Sequence, residues 1–225
     1  GRTNYKSKID IRAGSVAWMG SFRDLIFKGF NSVLLTGSLQ DELYGRISGE
    51  TGSLFKMSTS SAIPELQRFQ DPKVLRWLKK MGDEADRHGL NVYIYLHLKP
   101  RFSVDDPLFK AHPDIRGALI TDGPPYDKYH LCTSHPLVRQ YFKESIRGIL
   151  NEMPYIRGIL IIVGGEGFHH CFMRPYDVSE GQETNCPSCE KIGLVNVISD
   201  LCDYLGNAGR EVNPDFEILA WPYSA

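Results

Sequence analysis

Apolar positions along the chain fall into short continuous runs separated by stretches of helical period. Five runs read as strands, over residues 8–18, 32–36, 91–98, 156–163 and 216–221. The later ones have little polar alternation, the pattern of strands buried on both faces. Between the runs, Phe22, Leu25, Ile26 and Phe30 have helical spacing behind Ser21 as N-cap, and Gly29 ends that helix. Asp71-Pro72 opens a second helix, with Val74, Leu75, Leu78, Met81 and Ala85 as its apolar stripe and Trp77 as a core residue. Ser134-His135-Pro136 opens a third, which runs through Val138, Tyr141, Phe142, Ile146 and Leu150. A fourth, over 189–205, puts Ile192, Val195, Ile198, Leu201 and Leu205 on one face.

Strands alternating with helices imply parallel strands joined by right-handed crossovers. An open doubly wound sheet and an α/β barrel both fit that order. The connections after helices are short, whereas those over 37–63, 99–134 and 164–187 follow strands and are long. Barrel enzymes build their sites from such strand-to-helix loops, and the first turn has no dinucleotide fingerprint. The expectation is one α/β domain over 1–225 of (β/α)8 TIM-barrel type. A whole barrel takes about 250 residues, so only the first five βα units fit. A partial barrel would expose sheet edges, which predicts association with the missing segment or with another chain.

Composition adds exclusions. The chain is 42% hydrophobic and 24% charged, enough for an ordinary core. A net charge of −1 gives no electrostatic footprint for nucleic acid or an anionic membrane surface. No apolar run reaches the length of a membrane span. The chain opens with Gly1-Arg2, and no leader pattern names a compartment.

The fourth strand ends in Gly164-Gly165-Glu166-Gly167. Glycines there let the backbone turn and a ligand approach. A carboxyl group at a barrel mouth, partly desolvated, suits a general acid; the competing reading is a loop Glu in a salt bridge. This motif, with the first strand, its helix and the Asn31-Ser32-Val33-Leu34-Leu35 strand, resembles the β-hexosaminidases of glycoside hydrolase family 20. Those carry Gly-Gly-Asp-Glu at the end of strand four, with the Glu as acid. The Asp of that pair, which orients a substrate acetamido group, has no counterpart in Gly165-Glu166. The Glu-Gly pair is also similar to the acid motif of family 67 α-glucuronidases.

The resemblance implies a carbohydrate substrate and Glu166 as the acid. Glycoside hydrolysis normally takes two carboxyl groups, and Asp10, Asp122 and Asp177 are the candidate partners. His97 at the end of strand three and Arg12 near strand one could bind sugar hydroxyls. Trp221 and Tyr223 could stack on a pyranose, with Trp18, Tyr126 and Tyr129 as weaker candidates. For each, a structural role is the competing reading. A non-catalytic carbohydrate-binding barrel is the alternative function.

Five cysteines do not make a disulfide scaffold. Cys171, Cys186 and Cys189, with His170 or His169, have the make-up of a structural zinc site that would pin the loop carrying Glu166. Cys132 and Cys202 then read as buried thiols. A Cys186–Cys189 or Cys171–Cys186 disulfide, or free thiols, are the alternatives.

Overall fold

The computed structural model describes residues 20–35, 40–41, 45–46, 53–98, 102–119, 128–164, 170–172 and 184–222. In chain order these form α1 (Gly20–Phe27), β1 (Ser32–Leu35), β2 (Gln40–Asp41), β3 (Gly45–Arg46), α2 (Leu54–Met57), a 3-10 turn (Pro64–Phe69) and α3 (Pro72–Arg87). Then come β4 (Asn91–Tyr95), β5 (Phe102–Ser103), α4 (Pro107–Ala111), β6 (Arg116–Leu119) and β7 (Lys128–Leu131). The last elements are α5 (Pro136–Glu152), β8 (Ile156–Gly164), α6 (Pro187–Ile192), α7 (Leu194–Arg210) and β9 (Glu217–Pro222).

The central sheet is parallel, in the order β1-β4-β8-β9. Each strand pairs with the next one through a helical crossover, and the order never reverses among the described residues. Strands two to five of the sequence reading therefore stand as expected; strand one, over 8–18, lies outside the described residues. The described strands form an open sheet, and no closed barrel is seen among them.

The faces of the sheet differ. Val33, Leu35, Val92, Ile94, Ile159 and Ile161 join the stripes of α3, α5 and α7 in the main core. The alternate residues Leu34, Tyr93 and Leu160 form a separate cluster on the other face, with Tyr95 and Leu219 against it. Near the amino end of that face, the Tyr93 hydroxyl donates to Glu217 at 3.1 Å. Burial, then Glu217, push the Tyr93 phenol up to about 12. Gly158 makes this possible, because a Cβ there would lie 2.5 Å from the Glu217 carbonyl oxygen and 3.0 Å from the Tyr93 ring.

Helix starts follow sequence chemistry. Asp71 accepts from the Lys73 amide at 3.0 Å ahead of Pro72, and His135 Nδ1 accepts from the Leu137 amide at 3.3 Å ahead of Pro136. Two expectations need correction. The helix expected over 189–205 is two helices, because Gly193 takes φ 84°, a left-handed conformation that breaks the helical run. α7 consequently buries Val197, Leu201, Tyr204 and Leu205, while Val195 is exposed. In α1, Phe22 is buried but Ile26 is exposed, and Ser21 lies within the helix rather than ahead of it.

The excursion over 99–134 contains a three-stranded antiparallel sheet, β5-β7-β6. In the excursion over 37–63, the Leu54 amide donates to the His97 carbonyl at 2.9 Å, which ties α2 to the end of β4.

Candidate functional site

The carboxyl ends of the parallel strands bring several of the expected residues to one edge. His97 lies two residues beyond the end of β4, and its ring packs edge-on against Tyr95 with centroids 4.2 Å apart. Tyr95 belongs to the face opposite the helices, so His97 stands on that side. Trp221 pairs in register with Ile162, one step along from the Leu219–Leu160 pair of the same face. It is 40% exposed. Gly164, the last residue of β8, lies opposite Pro222. Glu166, His169, Arg12 and Tyr223 lie outside the described residues, as do Trp18, Tyr126, Asp10, Asp122 and Asp177. Among the described residues, no Asp or Glu stands at the carboxyl end of a parallel strand.

Beyond β8 the chain meets a second centre. The sulfurs of Cys132, Cys171, Cys186 and Cys189 all lie within 4.8 Å of one another. Cys132 Sγ is 3.6 Å from Cys189 Sγ and 3.7 Å from Cys186 Sγ. All four residues are buried, with Ala118, Phe172 and Val197 around them.

Three chain segments converge there. Cys132 follows β7, and its amide donates to the Ile115 carbonyl at 2.8 Å. Cys171 follows β8. Cys186 is the N-cap of α6, with Cys189 in its first turn. The Thr184 hydroxyl donates to the Cys171 carbonyl at 2.6 Å and accepts from the Cys186 amide at 3.2 Å, so one side chain joins two of the segments. Asn185 accepts from the Leu119 amide at 2.8 Å, which joins β6. Gly117 on β6 leaves room for the cluster: a Cβ there would lie 2.7 Å from Cys171 Sγ and 2.9 Å from the Cys132 nitrogen.

The contact with Cys132 draws the Cys186 thiol down, and the contact with Cys171 lowers Cys132. The Cys132 contact raises both Cys171 and Cys189.

His170 is not one of the four. It is buried, and both ring nitrogens have partners within the protein: Nε2 lies 2.9 Å from the Val163 carbonyl and Nδ1 accepts from the Phe172 amide at 3.3 Å. A neutral ring protonated at Nε2 satisfies both contacts. Burial holds its pKa down to about 4. Cys132 thus stands with Cys171, Cys186 and Cys189 in the cluster, and the His170 ring, named as a ligand from the sequence, does not. The odd cysteine count carried a weak signal, since a four-thiol set leaves only Cys202 over, but neighbourhood in sequence favoured the adjacent histidine.

No protein-family model and no curated protein matches the chain. Solved structures similar to it include the α-galactosidase from Lactobacillus brevis, at TM-score 0.48 and 16% identity, over 90% of this chain and 24% of that one. The GH36 α-galactosidase AgaA from Geobacillus stearothermophilus gives TM-score 0.47 and 17% identity, over 90% and 25%. The galactosidase domain of the α-galactosidase-sucrose kinase AgaSK gives 0.49 and 14%, over 90% and 24%. The chain spans about a quarter of the length of these proteins. All three are α-galactosidases or a galactosidase domain, and none is a β-hexosaminidase or an α-glucuronidase.

Beyond the cysteines, His135 is a helix cap, as expected, and Trp77 is core. Tyr129 packs edge-on against Phe109 under the Arg116 guanidinium, a structural role. No described helix is long and apolar enough to cross a membrane.

Proposed function

We propose that the chain is part of a barrel-type glycoside hydrolase, with Glu166 as the general acid at the carboxyl edge of its parallel sheet. The observation that supports this most is the sheet itself. Its strands follow one another without the reversal that marks doubly wound folds, and α3, α5 and α7 all join the core on one face. A barrel needs that arrangement, with the other face turned inward. β8 ends at Gly164, and Glu166 follows two positions later in the sequence. His97 and Trp221 flank this point on the neighbouring strands and would contact the sugar, with Arg12 and Tyr223 as further candidates. Further βα units, from the same chain or another, would pair onto the outer edge of β9.

In this reading Glu166 gives its proton to the glycosidic oxygen as the bond to the anomeric carbon breaks, and a second carboxylate completes the reaction. A second reading is a carbohydrate-binding barrel without turnover. A panel of α- and β-linked aryl glycosides separates the two, if it includes galactosides, glucuronides and N-acetylhexosaminides. Hydrolysis of one member that disappears in Glu166→Gln supports the enzyme. Hydrolysis unchanged in that variant removes Glu166 from the acid role. Oligosaccharide binding without turnover supports the second reading.

A further inference from the structure

We infer that Cys132, Cys171, Cys186 and Cys189 bind one zinc ion as four thiolates, in a closed structural site that joins the antiparallel sheet, the segment after β8 and α6. The inference goes beyond the proposed activity and stands whether or not Glu166 is an acid.

The spacing of the sulfurs carries it. Zinc–sulfur bonds of about 2.3 Å in a tetrahedron place the ligand sulfurs about 3.8 Å apart. Two of the separations here are 3.6 and 3.7 Å, and all six pairs fall within 4.8 Å. A disulfide needs about 2.05 Å, and the four thiols are free. Pairing any two as a disulfide would also strand two buried thiols beside it. A multi-iron cluster needs a wider cage than one ion does, so the geometry fits a single tetrahedral cation.

Chemistry and surroundings agree with that ion. Four thiolates leave no open coordination position, the mark of a structural site rather than a catalytic one. Ser134 Oγ lies 3.6 Å from Cys189 Sγ. Such an outer contact orients a thiolate ligand and tempers its charge. The apolar wall of Ala118, Phe172 and Val197 excludes water. Binding takes one Zn²⁺ and releases the thiol protons to solvent.

The site also has a place in the fold. Cys132 lies 54 and 57 residues from Cys186 and Cys189 in sequence. The ion would therefore cross-link the excursion after β4 to the one after β8. Cys171 is bonded in sequence to His170, which is hydrogen-bonded to the end of β8.

The test is metal analysis of the full chain, purified from zinc-supplemented medium under reducing conditions. The expected result is one equivalent of zinc, with iron absent. Cys132→Ser should weaken retention against a competing chelator at least about tenfold, while His170→Gln keeps its zinc. Exchange of wild-type zinc for cobalt(II) should give the intense sulfur-to-metal charge-transfer bands of a four-thiolate tetrahedral site, a readout that does not depend on either variant folding. Reduced protein without stoichiometric metal, iron in place of zinc, or a disulfide among the four would overturn the inference. So would zinc lost from His170→Gln but kept by Cys132→Ser. None of these readouts uses glycosidase activity, so a failed substrate panel leaves the metal result intact.

Discussion

His170 Nε2 donates to the Val163 carbonyl across 2.9 Å and thereby pins the two ends of the intervening segment, which contains Glu166. The same ring accepts from the Phe172 amide, one residue past Cys171. One imidazole thus links the end of β8 to the cysteine cluster.

That bond makes stability depend on pH. His170 is neutral in the fold, with its pKa held down from 6.5 to about 4 by burial. As pH falls below about 6.5 the unfolded chain takes the proton first, so stability is full above that value and is lost as pH drops toward 4. The loss is on the order of 3 kcal/mol. Urea unfolding at several pH values should show this slope in wild type and a flatter one in His170→Gln. Equal slopes would remove His170 as its source.

Gly117→Ala tests the packing behind the cluster. The added methyl would meet Cys171 Sγ at 2.7 Å and the Cys132 main chain at 2.9 Å, and backbone cannot move away as a side chain can. A destabilisation of about 1–3 kcal/mol is expected, together with weaker zinc retention. Chemical denaturation and metal analysis on the same samples check both.

Gly158→Ala tests the pairing of β8 with β9. Its methyl would meet the Glu217 carbonyl oxygen at 2.5 Å and press on the Tyr93 ring. It should cost about 1–3 kcal/mol and weaken the Tyr93–Glu217 hydrogen bond. A pH titration of tyrosine absorbance would follow the second effect, with one phenol moving down from about 12 toward the ordinary range.

Trp221→Ala tests the sugar-binding edge. Loss of a stacking partner worth about 0.5–1.5 kcal/mol should raise KM up to about tenfold while kcat stays near wild type. A change confined to kcat would argue against a binding role.

The sheet was legible because its strands are continuous apolar runs, such as Ile159–Ile162, which few other structures accommodate. Asp71-Pro72 and His135-Pro136 announced their helices through capping chemistry. The antiparallel sheet was not legible: β5 has two residues, and β6 and β7 have four each, too short to show a period. The break at Gly193 was hidden because apolar spacing continues through Ile192 and Leu194. Cys132 was missed because contact between segments more than fifty residues apart leaves no trace in local spacing.

The central claim is that Glu166 protonates a leaving glycosidic oxygen. Its most direct test is kcat/KM for wild type and Glu166→Gln on two aryl glycosides of one sugar, one with a good leaving group and one with a poor one. A general acid matters most when the leaving group is poor. The account predicts a loss of about 100-fold or more on the poor substrate and a much smaller loss on the activated one. Equal rates for wild type and variant on both substrates would contradict it.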